Sequence, residues 1–172
     1  VGKTATGKML ADRLGYDFYD LDEEVKRYYH TTLEEFVRTG TVNSRDKKRG
    51  VVINEIMSNS SDKVLVISPI SYSVNFNNHI DREDVFPIEL QDSAEHIFNR
   101  LVFSDENDKI YLDEEYKQKY KEYLISDIKE DISWYKRSFS RVKNKLYIND
   151  EPVNMVVNRI IEEYKLIKNQ IE

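Results

Sequence analysis

The chain has no cysteine among its 172 residues, which excludes disulfides, thiolate metal sites and a cysteine nucleophile. Histidine is scarce as well, and His30, His79 and His96 lie too far apart in sequence for a paired-ligand motif. Basic charge is outweighed: 26 Lys and Arg against 32 Asp and Glu leave a formal charge of −6. A general nucleic-acid binder needs the opposite, a concentrated positive field, although a local basic pocket is compatible with this balance. No apolar run approaches the roughly 18 residues of a membrane-spanning helix. The N-terminus has no basic stretch followed by an apolar segment, the pattern of an export signal. There is no internal repeat, low-complexity tract or linker. The expectation is one cytoplasmic domain over residues 1–172, with a small-molecule substrate and with no nucleic-acid, membrane or obligate protein partner.

What is present is helical and strand periodicity in alternation. Leu10, Ala11 and Leu14 recur at helical spacing and Gly15 follows as a stop, which predicts a first helix from Lys3 to Leu14. "YDFYD" alternates aromatic and acidic residues and predicts a short strand ending at Asp20. Asp22 to Arg38 suits two short helices, and Val51, Val52, Ile53 and Ile56 mark a third. "KVLVIS", "VFPIEL" and "KLYIN" read as further strands, with helices at Ser93 to Leu101 and Val153 to Ile171. Strands alternating with helices predict an α/β fold with a parallel sheet covered on both faces.

One stretch stands apart. Within residues 102–112, Phe103 to Asp108 is acidic and has no apolar periodicity, which predicts a mobile loop. Tyr116, Tyr120, Leu124, Ile128, Ile132 and Tyr135, about four apart, predict a long amphipathic helix over residues 113–136. Its tyrosine-rich stripe has two readings, packing against the domain or a groove for a partner.

The first eight residues contain Gly-Lys twice. "GKTATGKM" fits the spacing G-x-x-x-x-G-K of a phosphate loop but ends in Met9, where a hydroxyl is needed to meet magnesium; a thioether is a poor ligand for a hard cation. The other reading takes Gly2-Lys3-Thr4 as the end of the motif, with its glycine-rich start and first strand upstream of residue 1. Thr4 then offers its hydroxyl, Lys3 reaches the terminal phosphates, and the following helix points its positive end at them.

The longer block "GKTATGKMLADRLGYDFYDLDEEV" resembles the start of shikimate kinases, through Gly2, Lys3, Thr4, Gly7, Leu10, Ala11, Leu14, Gly15, Asp20 and Asp22. More loosely, "TLEEFVRTGTVNSR" is similar to the family's segment that ends in a substrate arginine, and "KVLVISPI" to the strand before its three-glycine loop. The resemblance implies a three-layer P-loop kinase fold with a parallel sheet of about five strands. It implies transfer of the ATP γ-phosphate to the 3-hydroxyl of shikimate, with magnesium, in the route to aromatic amino acids.

By the same resemblance, Gly2, Lys3, Thr4 and Ala5 would line the phosphates, Thr4 and Asp20 would serve magnesium, and Lys3 and Asp22 would be catalytic. Asp22 would hold and orient the acceptor hydroxyl, or else cap the next helix, or both. Arg45 would pair with a substrate carboxylate, or is a surface arginine in "RDKKR". Ser68, Pro69 and Ile70 stand in place of the glycine loop. Lys109 is the lid cation, Arg137 a second substrate arginine, and Arg100 with Pro152 would bracket adenine. The glycine loop and the lid depart from the family pattern, so two alternatives stay open: a kinase of another small hydroxylated metabolite, and a noncatalytic nucleotide-binding module.

Overall fold

The structure is a computed structural model that describes residues 2–67 and 74–166. Helix α1 (Lys3–Leu14) lies between two left-handed glycines, Gly2 at φ 80° and Gly15 at φ 72°, a conformation that a side chain would strain. The Gly15 N–H closes the helix by bonding to the Ala11 carbonyl. Strand β1 (Asp17–Asp20) and helix α2 (Leu21–Tyr29) follow without a loop. Helices α3 (Leu33–Arg38) and α4 (Val42–Ser58) each start at a threonine, Thr32 and Thr41, whose hydroxyl accepts a first-turn N–H. Strand β2 (Lys63–Val66), helix α5 (Val74–Ile80) and strand β3 (Ile88–Gln91) come next. Helix α6 (Ala94–Asn99), capped by Ser93, leads to the short strands β4 (Phe103–Ser104) and β5 (Ile110–Tyr111). Helices α7 (Glu114–Lys119) and α8 (Lys121–Lys136), strand β6 (Asn144–Tyr147) and helix α9 (Val153–Glu163) complete the order.

Strands β1 and β2 pair in parallel with Asp20 opposite Val66, and β3 and β6 pair in parallel with Gln91 opposite Tyr147. The period-2 alternation of β2 covers two faces. Val64 packs into a core of Leu10 and Leu14 from α1 with Val156, Val157 and Ile160 from α9. Leu65 packs on the other side into Leu21 and Val25 of α2, Phe36 of α3, and Val52, Ile53 and Ile56 of α4. Ile88 and Leu90 of β3 join the first core, as do Leu146 of β6 and Ile148 just after it. Helices on both faces of parallel strands make a three-layer α/β domain. No helix among the described residues is long and apolar enough to cross a membrane.

The described residues supply four parallel strands in two ladders, β1–β2 and β3–β6, which meet through the α1–α9 core, and the expected α/β fold stands. Three expectations of local structure need correction. The stretch 102–112 is an antiparallel hairpin, β4 against β5, because the Asp105 carboxylate accepts the Asn107 and Lys109 N–H groups and fixes the tip. The long helix over 113–136 is broken at Tyr120. Lys117 of α7 is buried and donates to the Asn99 and Leu101 carbonyls, while α8 lies along α6. Helix α5 has no counterpart among the expected elements.

The tyrosine stripe is less covered than packing against the domain predicts. No residue of α8 is buried, and Tyr116, which contacts both Tyr120 and Phe103, is exposed, as is Tyr120.

Candidate active site

The site forms where α1 begins and β1 ends. Asp20, the last residue of β1, is buried, and its carboxylate accepts from the Thr4 hydroxyl at 2.6 Å and from the Asp22 N–H at 3.0 Å. Asp20, not Asp22, therefore caps α2. The reason is Leu21, which is fully buried and forces the helix to begin directly after the strand. Asp22 is left in the first turn of α2, and its carboxylate lies 3.7 Å from the Lys3 ammonium. Four side chains from three elements thus converge on the N-terminal end of a twelve-residue helix that has no side-chain cap and no acidic residue in its first turn. Such an end attracts anions through its aligned N–H groups.

Gly7 makes this convergence close. A Cβ built there would stand 2.2 Å from Val66 Cγ2 and 3.3 Å from the Phe18 ring. Only a glycine lets α1 press against β1 and β2 tightly enough for Thr4 to reach Asp20. Lys8, in the second Gly-Lys pair, is exposed, as expected of a lysine outside the phosphate site.

A second cluster gathers at the C-terminal ends of β3 and β6. Asp92 follows β3, and its side chain is wholly buried. Its Oδ1 accepts from the Ser93 N–H at 2.9 Å and from His96 Nδ1 at 2.7 Å, and its Oδ2 accepts from Arg100 Nη2. Burial pushes the Asp92 carboxyl up, but the hydrogen bonds from Arg100 and His96 outweigh it and hold the pKa below the ordinary carboxylate value. Arg100 Nη1 bonds Asp150, two residues before Pro152 in sequence. The carboxylates around Arg100 were not expected. The signal available was the spacing Asp92, His96, Arg100, four apart on one side of a helical stretch.

The remaining candidates are dispersed. Arg45 turns Nη1 onto the Val37 and Gly40 carbonyls, closing the α3–α4 connection. The more buried arginine of α4 is Arg49, paired with buried Asp46 and lying 5.2 Å from the Phe36 ring. Lys109 is exposed beside the hairpin tip, and Arg137 is exposed at the end of α8. Ser68, Pro69 and Ile70 lie outside the described residues. The tip residue that makes contact is Asp108, whose carboxylate accepts the Leu33 N–H at 2.9 Å and stands 3.6 Å from the Lys26 ammonium. Lys26 is one turn beyond Asp22 on α2, so the hairpin docks beside the acidic residue of the site.

A glycine-lysine-threonine helix start, with the threonine bonded to a strand-end aspartate on a three-layer α/β domain, defines a phosphate-loop kinase of small molecules. The sequence profile described as shikimate kinase matches residues 1–165. The chain belongs to the shikimate kinase family, ATP-dependent phosphotransferases with an alcohol acceptor. Solved structures agree in fold. Shikimate kinase from Bacteroides thetaiotaomicron superposes with a TM-score of 0.78 at 18% identity, covering 96% of this chain and 93% of that one. The enzyme from Aquifex aeolicus gives 0.69 at 18% identity, covering 95% and 90%. The Acinetobacter baumannii enzyme in complex with shikimate gives 0.58 at 18% identity, covering 99% and 89%. No curated protein sequence matches the chain.

Proposed function

We propose that this protein is a cytoplasmic shikimate kinase in which Lys3, Thr4, Asp20 and Asp22 carry the chemistry. The observation that supports this most directly is the 3.7 Å approach of Lys3 to Asp22. It supports a reading in which the cation that would neutralise a transferring phosphoryl lies beside the carboxylate that would handle an acceptor hydroxyl. Phosphoryl transfer asks little covalent work of a protein; it needs charge neutralisation and alignment.

Gly2, Lys3, Thr4 and Ala5 present backbone N–H groups and an ammonium to the phosphates. Asp22 accepts the hydrogen bond of the acceptor hydroxyl, orients the oxygen for in-line attack, and takes up its proton as the P–O bond forms. The Thr4 hydroxyl and Asp20 carboxylate, 2.6 Å apart, are hard oxygens that would hold magnesium, Asp20 through water. When bound there, the ion would neutralise charge on the β- and γ-phosphate oxygens. Arg100 and Pro152 would bracket the adenine, and Arg45, Lys109, Arg137 and the segment of Ser68, Pro69 and Ile70 would complete the acceptor side.

One observation favours a related kinase with another acceptor. Arg45 already spends Nη1 on two backbone carbonyls, which leaves only its Nε–Nη2 edge to fork a carboxylate. ADP release from Mg-ATP by the full-length protein, with and without shikimate, decides between them. Stimulation by shikimate supports the first reading. ATP binding without stimulation rejects shikimate as acceptor.

A further inference from the structure

A guanidinium has two edges that donate hydrogen bonds and two flat faces that do not. In Arg100 both terminal nitrogens are taken by carboxylates from different elements, Nη2 by Asp92 after β3 and Nη1 by Asp150 after β6. An arginine so engaged is held at both terminal nitrogens, which fixes the orientation of its plane. The side chain is 34% exposed, beside the loop that carries Pro152. The two tethers differ in strength. The Asp92 side chain has no exposed surface and divides its oxygens cleanly, Oδ1 serving Ser93 and His96 and Oδ2 serving Arg100, whereas Asp150 is 47% exposed. A desolvated, fully bonded carboxylate fixes its partner's orientation far better than a surface one.

We infer that Asp92, assisted by Asp150, is a positioning residue for the nucleotide base: the two carboxylates hold Arg100 by its edges so that its face is presented for stacking on a purine. This rests on the reading of Arg100 as a base-contacting residue and adds the residues that make it one. A flexible arginine would lose rotamer freedom on stacking, and tethering it beforehand removes that cost. Because the effect operates through the base, it does not extend to the triphosphate.

The test is equilibrium binding to the full-length protein of two probes, ATP and inorganic tripolyphosphate, for Asp92→Asn, Asp150→Asn, Arg100→Ala and Arg100→Lys. Loss of an ordered cation–π contact predicts ATP binding weakened about 3- to 30-fold in Asp92→Asn and Arg100→Ala, with tripolyphosphate affinity kept within about twofold. Arg100→Lys should behave like Arg100→Ala, because charge survives but the plane does not; a merely structural ion pair would be rescued. Asp150→Asn should show a smaller loss confined to ATP, and it keeps the test decisive if Asp92→Asn does not fold. Weakening of ATP by Arg100→Ala but by neither aspartate variant would overturn the positioning role while leaving the base contact standing. Unchanged ATP affinity in Arg100→Ala would refute the base contact itself. Equal weakening of both probes by Asp92→Asn would show general disruption and also overturn the inference.

Discussion

Replacing Gly7 by alanine pits two physical effects against each other. In an isolated helix the change is favourable by about 1 kcal/mol, because alanine loses less backbone entropy than glycine. In this fold the new methyl would stand 2.2 Å from Val66 Cγ2, where ordinary contact begins at 3.4 Å, so α1 must retreat by more than 1 Å or the strand must give. Overpacking of this kind costs about 1–3 kcal/mol. Val66 is the register partner of Asp20, and the 2.6 Å bond from Thr4 to Asp20 does not survive a shift of that size, at a further cost of about 1 kcal/mol. The net expectation is destabilisation by about 1–3 kcal/mol, a fall in Tm of roughly 2–10 °C for a chain of this length. Turnover should fall about 100-fold, since the phosphate-binding residues move with the helix. Denaturant melts and ADP-release rates of Gly7→Ala, Val66→Ala and the double variant measure this. The smaller side chain makes room for the methyl, so the double variant should be more stable than the sum of the singles predicts. A rise in Tm for Gly7→Ala, or strict additivity in the cycle, would refute the close-approach argument.

Other expectations are separable from that one. Lys3→Ala should abolish detectable ATP binding with the far-UV CD spectrum preserved, whereas Asp22→Asn should lower turnover about 10²- to 10⁴-fold with ATP affinity nearly intact; equal loss of ATP affinity in Asp22→Asn would assign Asp22 to nucleotide binding. Asp108→Asn removes the charge held by Lys26 and should expose the 103–111 hairpin to faster proteolysis than in the parent protein; identical cleavage rates would mean that the docking contact contributes nothing. The folded-state pKa of Asp92 is lowered, so its contribution to stability is complete above the unfolded carboxylate value of about 3.9 and is lost as pH falls through the folded value. Chemical denaturation from pH 6 downward should show this acid-side loss, and Asp92→Asn should flatten it; an unchanged slope in the variant would remove Asp92 from the account.

The sequence was most informative where the deciding interactions are local. The run from Gly2 to Asp22 could be read as helix, strand and aspartate pair because α1 and β1 are contiguous and the Gly7 contact, though tertiary, leaves its mark as a glycine inside a helical pattern. The division of labour between Asp20 and Asp22 was harder to see. It depends on how deeply Leu21 is buried, which periodicity over two residues does not reveal. Arg45 looked free in the run "RDKKR" because the carbonyls that hold it come from the turn before α4, whose geometry no pattern specifies. Asp108 had no signal at all: its partners, Lys26 and Leu33, lie more than seventy residues away, and an acidic loop otherwise reads as solvated. The break at Tyr120 is likewise tertiary, since Lys117 is exposed by helical pattern and buried only because the end of α6 offers it carbonyls.

The placement of α1 has a thermodynamic consequence. Helix α1 touches β1 and β2 and lies in the same core as β3, β6 and α9. A ligand held at the first turn of this helix therefore stabilises an element packed with both pairs of strands. At a concentration of 100 times Kd, such a ligand adds about 2.7 kcal/mol to the free energy of global opening. Amide protons in β3 and β6 that open only with the whole molecule should then exchange about 100-fold more slowly when nucleotide is bound. The same helix that receives the triphosphate would make remote strand amides a record of its occupancy.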